Sequence, residues 1–323
     1  MGQSGSKSSK KKRKREKMIK VTDVAYARFR APDLDKMERF LEDFGLIRSA
    51  RTDDALYMRA CGPSHHVHVT ELGDPAFVGM AFHAANEADL HTLSRSPEAS
   101  GPEKIEEPGG GIRVHLTDPD GFLIEVVHGI EELEPVKVRN SYRPNYGDKY
   151  QRKGEFVRLK QGPAQCLRLG HVVIGVSDFK QSNRFYKSHF GFLDSDICYE
   201  GEKDNIVLAF NRVDRGQDYV DHHTLLTAPT GKPELGHIAF EVEDINAIHL
   251  AHEHLMSKKY EHSWGVGRHI LGAQIFDYWF DPYGNRVEHW TDGDLLNEDS
   301  PTGVHPYSAR FSTQWGVTES ARR

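Results

Sequence analysis

Cysteine is scarce. The 323 residues contain only Cys61, Cys166 and Cys198, widely separated and in no CxxC pair, which excludes a disulfide framework and a thiolate zinc site and fits a reducing, cytoplasmic setting. Long apolar runs are also missing. No stretch approaches the ~18 residues that a membrane span requires, and no apolar segment near the start has the form of a secretory signal. Positive charge is thin outside one place. Residues 1–17 carry eight Lys or Arg against Glu16 alone, a net of +7, and since the whole chain is at −6 the remainder stands at −13. An acidic body is a poor match to nucleic acid, so no nucleic-acid partner is expected for the folded part.

The basic leader, residues 1–17, has three readings. The simplest is a solvated, disordered tail ahead of a natural start at Met18. A nuclear-import patch is the second. The third is a lipid anchor, with Gly2 and Ser6 in a myristoylation pattern and the Lys/Arg cluster as second membrane signal.

What is plentiful is repetition. "YARFRAPDLDKMERFLEDFGL" from Tyr26 and "HVVIGVSDFKQSNRFYKSHFGF" from His171 each run from a β-rich stretch through an Asp turn into an amphipathic helix ending at Phe-Gly. Farther on, "VGMAFHAANEADLHTL" from Val78 matches "GHIAFEVEDINAIHL" from Gly236, and "TDPDGFLIEVV" from Thr117 matches "FDPYGNRVEHW" from Phe280. The Asp-Pro-x-Gly pairs are β-turn signatures. The chain therefore reads as a tandem duplication of strand-helix-strand units. The expected divisions are a tail at 1–17, a first half at 18–130, a polar linker at 131–165, a second half at 166–293 and a C-terminal tail at 294–323 without clear periodicity.

Comparing the halves isolates a candidate site. His171, His237 and Glu288 stand where the first half has Tyr26, Gly79 and Glu125, so two histidines and a carboxylate sit at corresponding points of three strands in one half only. Inward-facing side chains of neighbouring strands in a curved sheet can meet at a point. Two His and one carboxylate form a facial triad that leaves positions open on an octahedral ion, as non-haem Fe(II) needs, while zinc would suit hydrolysis or isomerisation; the ligands alone favour iron, manganese or zinc without choosing. With 19 histidines in the chain, any single one is more often a surface or satisfied core residue. The coincidence of three positions outweighs that prior. The segment "WGVGRHILGAQIFDYWFDPYGNRVEHW" adds His269 and Tyr278 to Glu288 among apolar and aromatic neighbours, and alternation along "IFDYWF" places Tyr278 on the face opposite Trp279. Trp279 and Trp290 read as structural.

"LGHVVIGVSD", "LGHIAFEV" and "GRH" followed by "YWFDPYGNRVEHW" resemble the signature of the type I extradiol (catechol 2,3-type) ring-cleaving dioxygenases of the vicinal oxygen chelate superfamily, and the resemblance runs from about Met18 to Asp294. It implies an α+β fold of tandem paired βαβββ modules in curved, barrel-like mixed sheets, with a metal-free N-terminal pair and an iron-bearing C-terminal pair. It also implies Fe(II), or Mn(II), held by His171, His237 and Glu288. His222 would be the acid-base residue, with adjacent His223 as fallback because a one-residue shift exchanges faces; His269 and Tyr278 would donate hydrogen bonds to substrate. The implied reaction is cleavage of a catechol by O2 in aromatic catabolism, in a homo-oligomer. Glyoxalase-like and 4-hydroxyphenylpyruvate dioxygenase-like enzymes, and a non-catalytic binding protein of the same fold, are the alternatives.

Overall fold

The computed structural model describes residues 19–140 and 142–317; the basic leader lies outside them. Its first half is β1 (Val21–Ala31), α1 (Leu34–Phe44), β2 (Ile47–Arg51), β3 (Ala55–Arg59), β4 (His68–Leu72), β5 (Ala76–Ala84), α2 (Glu87–Leu93), β6 (Glu103–Lys104), β7 (Ile112–Thr117) and β8 (Leu123–His128). The second half repeats the order as β9 (Arg168–Gly175), α3 (Phe179–Phe190), β10 (Leu193–Tyr199), β11 (Ile206–Arg212), the short β12 (Val220–Asp221), β13 (Leu225–Ala228), β14 (Glu234–Glu241), α4 (Ile245–Ser257), β15 (His262–His269), β16 (Ile275–Phe280) and β17 (Arg286–Thr291). Each half is thus two βαβββ units, as the internal repeat suggests. The class is α+β.

Local chemistry explains why each unit opens alike. The side chains of Asp33, Asn86, Asp178 and Asp244 each accept the backbone N–H three residues on, which satisfies an otherwise unpaired donor at the start of α1, α2, α3 and α4. Gly45 and Gly191 end α1 and α3 at φ 116° and 75°, a left-handed backbone that glycine enters without strain. Asp118 and Asp281 fold the two Asp-Pro-x-Gly turns, each carboxylate accepting the N–H two and four residues on.

The units join edge to edge. In the first sheet the order is β2-β3-β4-β1-β5-β8-β7-β6, with β1 antiparallel to β5 at the seam; in the second, β10-β11-β13-β9-β14-β17-β16-β15 has β9 antiparallel to β14. The sheets are curved and open rather than closed barrels. Segment 294–317 is not a free tail: β19 (Gly303–Pro306) pairs with β10, and β20 (Thr313–Trp315) pairs with β15, after β18 (Leu295–Leu296) has paired with β12. These strands are two to four residues long, too short to show a period in the sequence. The linker 131–165 carries no helix or named strand among its described residues.

Alternation along each strand sorts side chains between two faces. Val172, Ile174, Ile238, Trp279 and Val287 pack with the helices in a core that runs through both halves. Phe44 of α1 reaches across to β17, where its ring stacks on His289 at 3.7 Å and its carbonyl accepts the His289 Nε2 proton at 2.7 Å. Across the other contact Tyr186 Oη donates to Asp118 at 2.7 Å. The opposite face of the second sheet, where His171, Val173, Tyr278, Glu288 and Trp290 point, is left to build a site.

Candidate metal centre

Three neighbouring strands bring the predicted donors together. Ala239 pairs with His171 across β9 and β14 and with Glu288 across β14 and β17, so His237, two residues before it on the same face, comes within reach of both. His171 Nε2 lies 3.3 Å from His237 Nε2 and 3.1 Å from Glu288 Oε2, and His237 Nε2 lies 3.2 Å from that oxygen. Spacings near 3 Å are those of adjacent donors on an ion with bonds of about 2.0–2.2 Å. Burial of a carboxylate would by itself raise its pKa, but hydrogen bonds from His171 and His237 outweigh that and hold Glu288 well below the usual range. Its Oε1 is buried with no hydrogen-bond partner among the described residues. An anionic, incompletely satisfied carboxylate between two imidazoles fits a divalent cation.

His171 and His237 line a cavity of about 460 Å³, with Glu288 fully buried behind them. Tyr278, opposite Glu288 across β16 and β17, has its hydroxyl 3.0 Å from His269 Nε2, at the end of β15. Burial lowers the His269 pKa to about 4. Trp264 stacks on the Tyr278 ring at 5.4 Å, and Phe276 stacks on His269 at 3.9 Å, which fixes both side chains. The expected residues His171, His237, Glu288, His269 and Tyr278 therefore converge.

His222 does not join them. Its Nε2 is turned to Asp196 Oδ2 at 2.8 Å, whereas His223 lines the cavity with its ring 4.1 Å from that of His171. The chain leaves β12 through residues 222–224 before entering β13, and in an extended run adjacent side chains face opposite ways. The fallback residue thus occupies the position expected of His222. The two rings remain linked, Nδ1 to Nδ1 at 3.1 Å, so one of them donates and the other accepts. Burial, helped by the neighbouring histidines, lowers the His223 pKa well below its ordinary value.

Other cavity residues were not singled out in the sequence. Val173, Leu208, Phe210, Leu226 and Leu271 form an apolar wall; only Val173, two residues after His171, carried a signal. Arg286 sits over the Tyr278 ring at 5.3 Å. Arg310 and Phe311 reach the cavity from a 3-10 helix, Tyr307–Phe311, in a segment with no periodicity.

The first half shows what the same geometry becomes without donors. Glu125 is kept, but it accepts Tyr26 Oη at 3.0 Å, Arg28 Nε at 3.1 Å and Arg113 Nη1 at 3.0 Å. Arg28 stands at the point that Val173 holds in the second half, beside Gly79 where the second half has His237. A buried guanidinium replaces the histidines as the partner of the carboxylate.

Residues 168–289 match the family model described as glyoxalase/bleomycin resistance protein/dioxygenase superfamily. Over this region the chain is similar to that superfamily. The flanking chain extends the likeness: a protein named metapyrocatechase 2 from Cupriavidus necator is 28% identical over 299 residues, covering 92% of this chain and 89% of its own. An iron-dependent extradiol dioxygenase from Rhodococcus jostii is 26% identical, covering 92% and 97%. Homoprotocatechuate 2,3-dioxygenase from Brevibacterium fuscum, solved with 3,4-dihydroxyphenylacetate, superposes with a TM-score of 0.78 over 94% of this chain and 91% of its own at 20% identity, a likeness of fold.

Proposed function

We propose that the protein is an Fe(II)-dependent extradiol dioxygenase that opens the ring of a catechol-type diol with O2 to give a hydroxymuconic semialdehyde-type product. One observation carries the reading: the two histidines of the two-His, one-carboxylate triad line a cavity whose wall also holds His223, His269 and Tyr278. Iron bound by His171, His237 and Glu288, with Mn(II) as the second candidate, would supply a Lewis acid that can hold both diol oxygens and share an electron with O2.

The chain's own groups supply the rest. His223 is kept neutral at physiological pH by burial, so it can take a proton from a diol hydroxyl and return it later in the cycle. Its Nδ1 is engaged by His222, which leaves Nε2 for the exchange. His269 and Tyr278 share a hydrogen bond and are fixed by aromatic stacking, a rigid pair of donors for a substrate oxygen that gains negative charge. Val173, Leu208, Phe210, Leu226 and Leu271 seat the ring and exclude water.

The test is anaerobic loading of the full chain with Fe(II), then oxygen uptake and the yellow colour of ring-fission products across monocyclic, alkylated, carboxylated and bicyclic catechols. Oxygen uptake matched to product, absent in the zinc form, is expected. Oxygen-independent turnover of a 2-oxoaldehyde–thiol adduct by the zinc form would assign the site to a glyoxalase-type isomerase instead. A cytoplasmic location and a homo-oligomeric state belong to this reading; the three buried cysteines stand outside any disulfide, as a reducing compartment would have them.

A further inference from the structure

A second cluster of donors lies on the other side of β16. Asp277 precedes Tyr278, and alternation turns it toward the helices, where it has no exposed surface. Its counterpart in the first half is Val114: Tyr278 pairs with Glu288 as His115 pairs with Glu125, so the residue before each is equivalent. The repeat shows that an apolar side chain satisfies this position. An anionic carboxylate buried in its place is costly unless partners are built around it.

Such partners are present, and they come from three elements. His252 Nδ1, from α4, lies 3.0 Å from Asp277 Oδ2, and His262 Nε2, at the start of β15, lies 2.8 Å from Oδ1. The two imidazole rings are 4.8 Å apart and nearly perpendicular. Trp279 Nε1 donates to Oδ2 at 2.7 Å. The ligand atoms of the two histidines and the carboxylate all fall within 4.8 Å of one another, as those of the catalytic triad do. The His252 side chain is 27% exposed and that of His262 15%, so the cluster opens to solvent on the α4 side.

We propose that His252, His262 and Asp277 form a second divalent-metal site, separate from the catalytic one and of the kind that takes Zn(II). Two neutral imidazoles and one carboxylate are a common zinc donor set, and here each imidazole nitrogen already lies against its own oxygen of the Asp277 carboxylate, His262 at Oδ1 and His252 at Oδ2. The Trp279 N–H orients the carboxylate as outer-shell hydrogen bonds do in metal sites. Solvent completes the coordination through the open side. Binding requires His252 Nδ1 and His262 Nε2 without their protons, so the affinity falls as the solution is made acid. An ion here ties α4 to β15 and β16 from behind, on the strand that carries Tyr278.

The proposal stands independently of the reaction assigned to the cavity, and so does its test. Full-length protein stripped of metal is equilibrated with a small excess of Zn(II), gel-filtered, and analysed for zinc per chain alongside His252→Ala, His262→Gln and the exposed control His91→Ala. Each of the first two variants should retain one zinc fewer than the unaltered chain, and the control should match it. Zinc should also raise Tm by several degrees more in the unaltered chain than in His252→Ala. Circular dichroism establishes that the variants are folded; because His262→Gln keeps a hydrogen-bonding side chain, it serves where His252→Ala unfolds. Equal zinc content in the unaltered chain and the folded variants overturns the proposal.

Discussion

At the scale of single residues, the neighbours His222 and His223 have different work. His223 faces the cavity, and His222 spans the gap between it and Asp196, whose other oxygen is held by His305 at 3.0 Å. His223→Phe should leave metal content unchanged and lower kcat by about 10²–10⁴, the usual contribution of a positioned proton carrier; iron analysis with steady-state kinetics on a catechol checks it. His222→Phe removes a buried hydrogen-bonding link and leaves Asp196 without that partner, so it should lower stability by about 1–3 kcal/mol while keeping measurable turnover, read from urea unfolding. If His222→Phe is the inactive variant and His223→Phe retains full activity, the assignment drawn from the side-chain directions is reversed. The sequence held both residues but not their facing. A strand's side chains change face with every residue, and the short irregular run between β12 and β13 hides the register that would decide between them.

Among elements, the legible features are those that repeat. Helix caps, Phe-Gly helix ends, Asp-Pro-x-Gly turns and the triad all recur or fail to recur at matched points, so comparing the halves exposes them. The Arg28–Glu125–Arg113 network and the short strands β18, β19 and β20 were not legible, because one depends on long side chains meeting across strands and the others are too short to carry a period. Glu125 marks the difference between the halves. Glu125→Ala would leave the buried Arg28 without its most buried partner, and losing one member of such a pair costs about 3–5 kcal/mol. We expect a large fall in Tm for Glu125→Ala with no loss of bound iron, since the proposed ligands His171, His237 and Glu288 all lie in the second half. The corresponding Glu288→Ala should abolish iron retention. Iron lost equally from both would contradict the division of labour between the sheets.

For the whole molecule, acid is the revealing stress. Burial keeps His66 and His68 at about 3 and His83 at about 4, far below the ~6.5 of an unfolded chain. Between those limits the unfolded chain binds protons that the folded one refuses. Stability is therefore fully present above about pH 6.5 and falls as the pH drops towards 3–4, by up to about 1.4 kcal/mol per pH unit for each such histidine. Urea midpoints measured from pH 7 to 4 should show this slope, and His68→Phe, which can keep the stack on Phe29, should make it shallower. The whole chain also has an order in time. Every strand that carries a donor of the triad has been made once Thr291 is added, yet Arg310 and Phe311, which close one side of the cavity, come about 20 residues later. At about 5–20 residues per second the ribosome needs roughly 1–4 s to add them. A nascent chain stalled in that interval would possess all three donors and a pocket still lacking its roof.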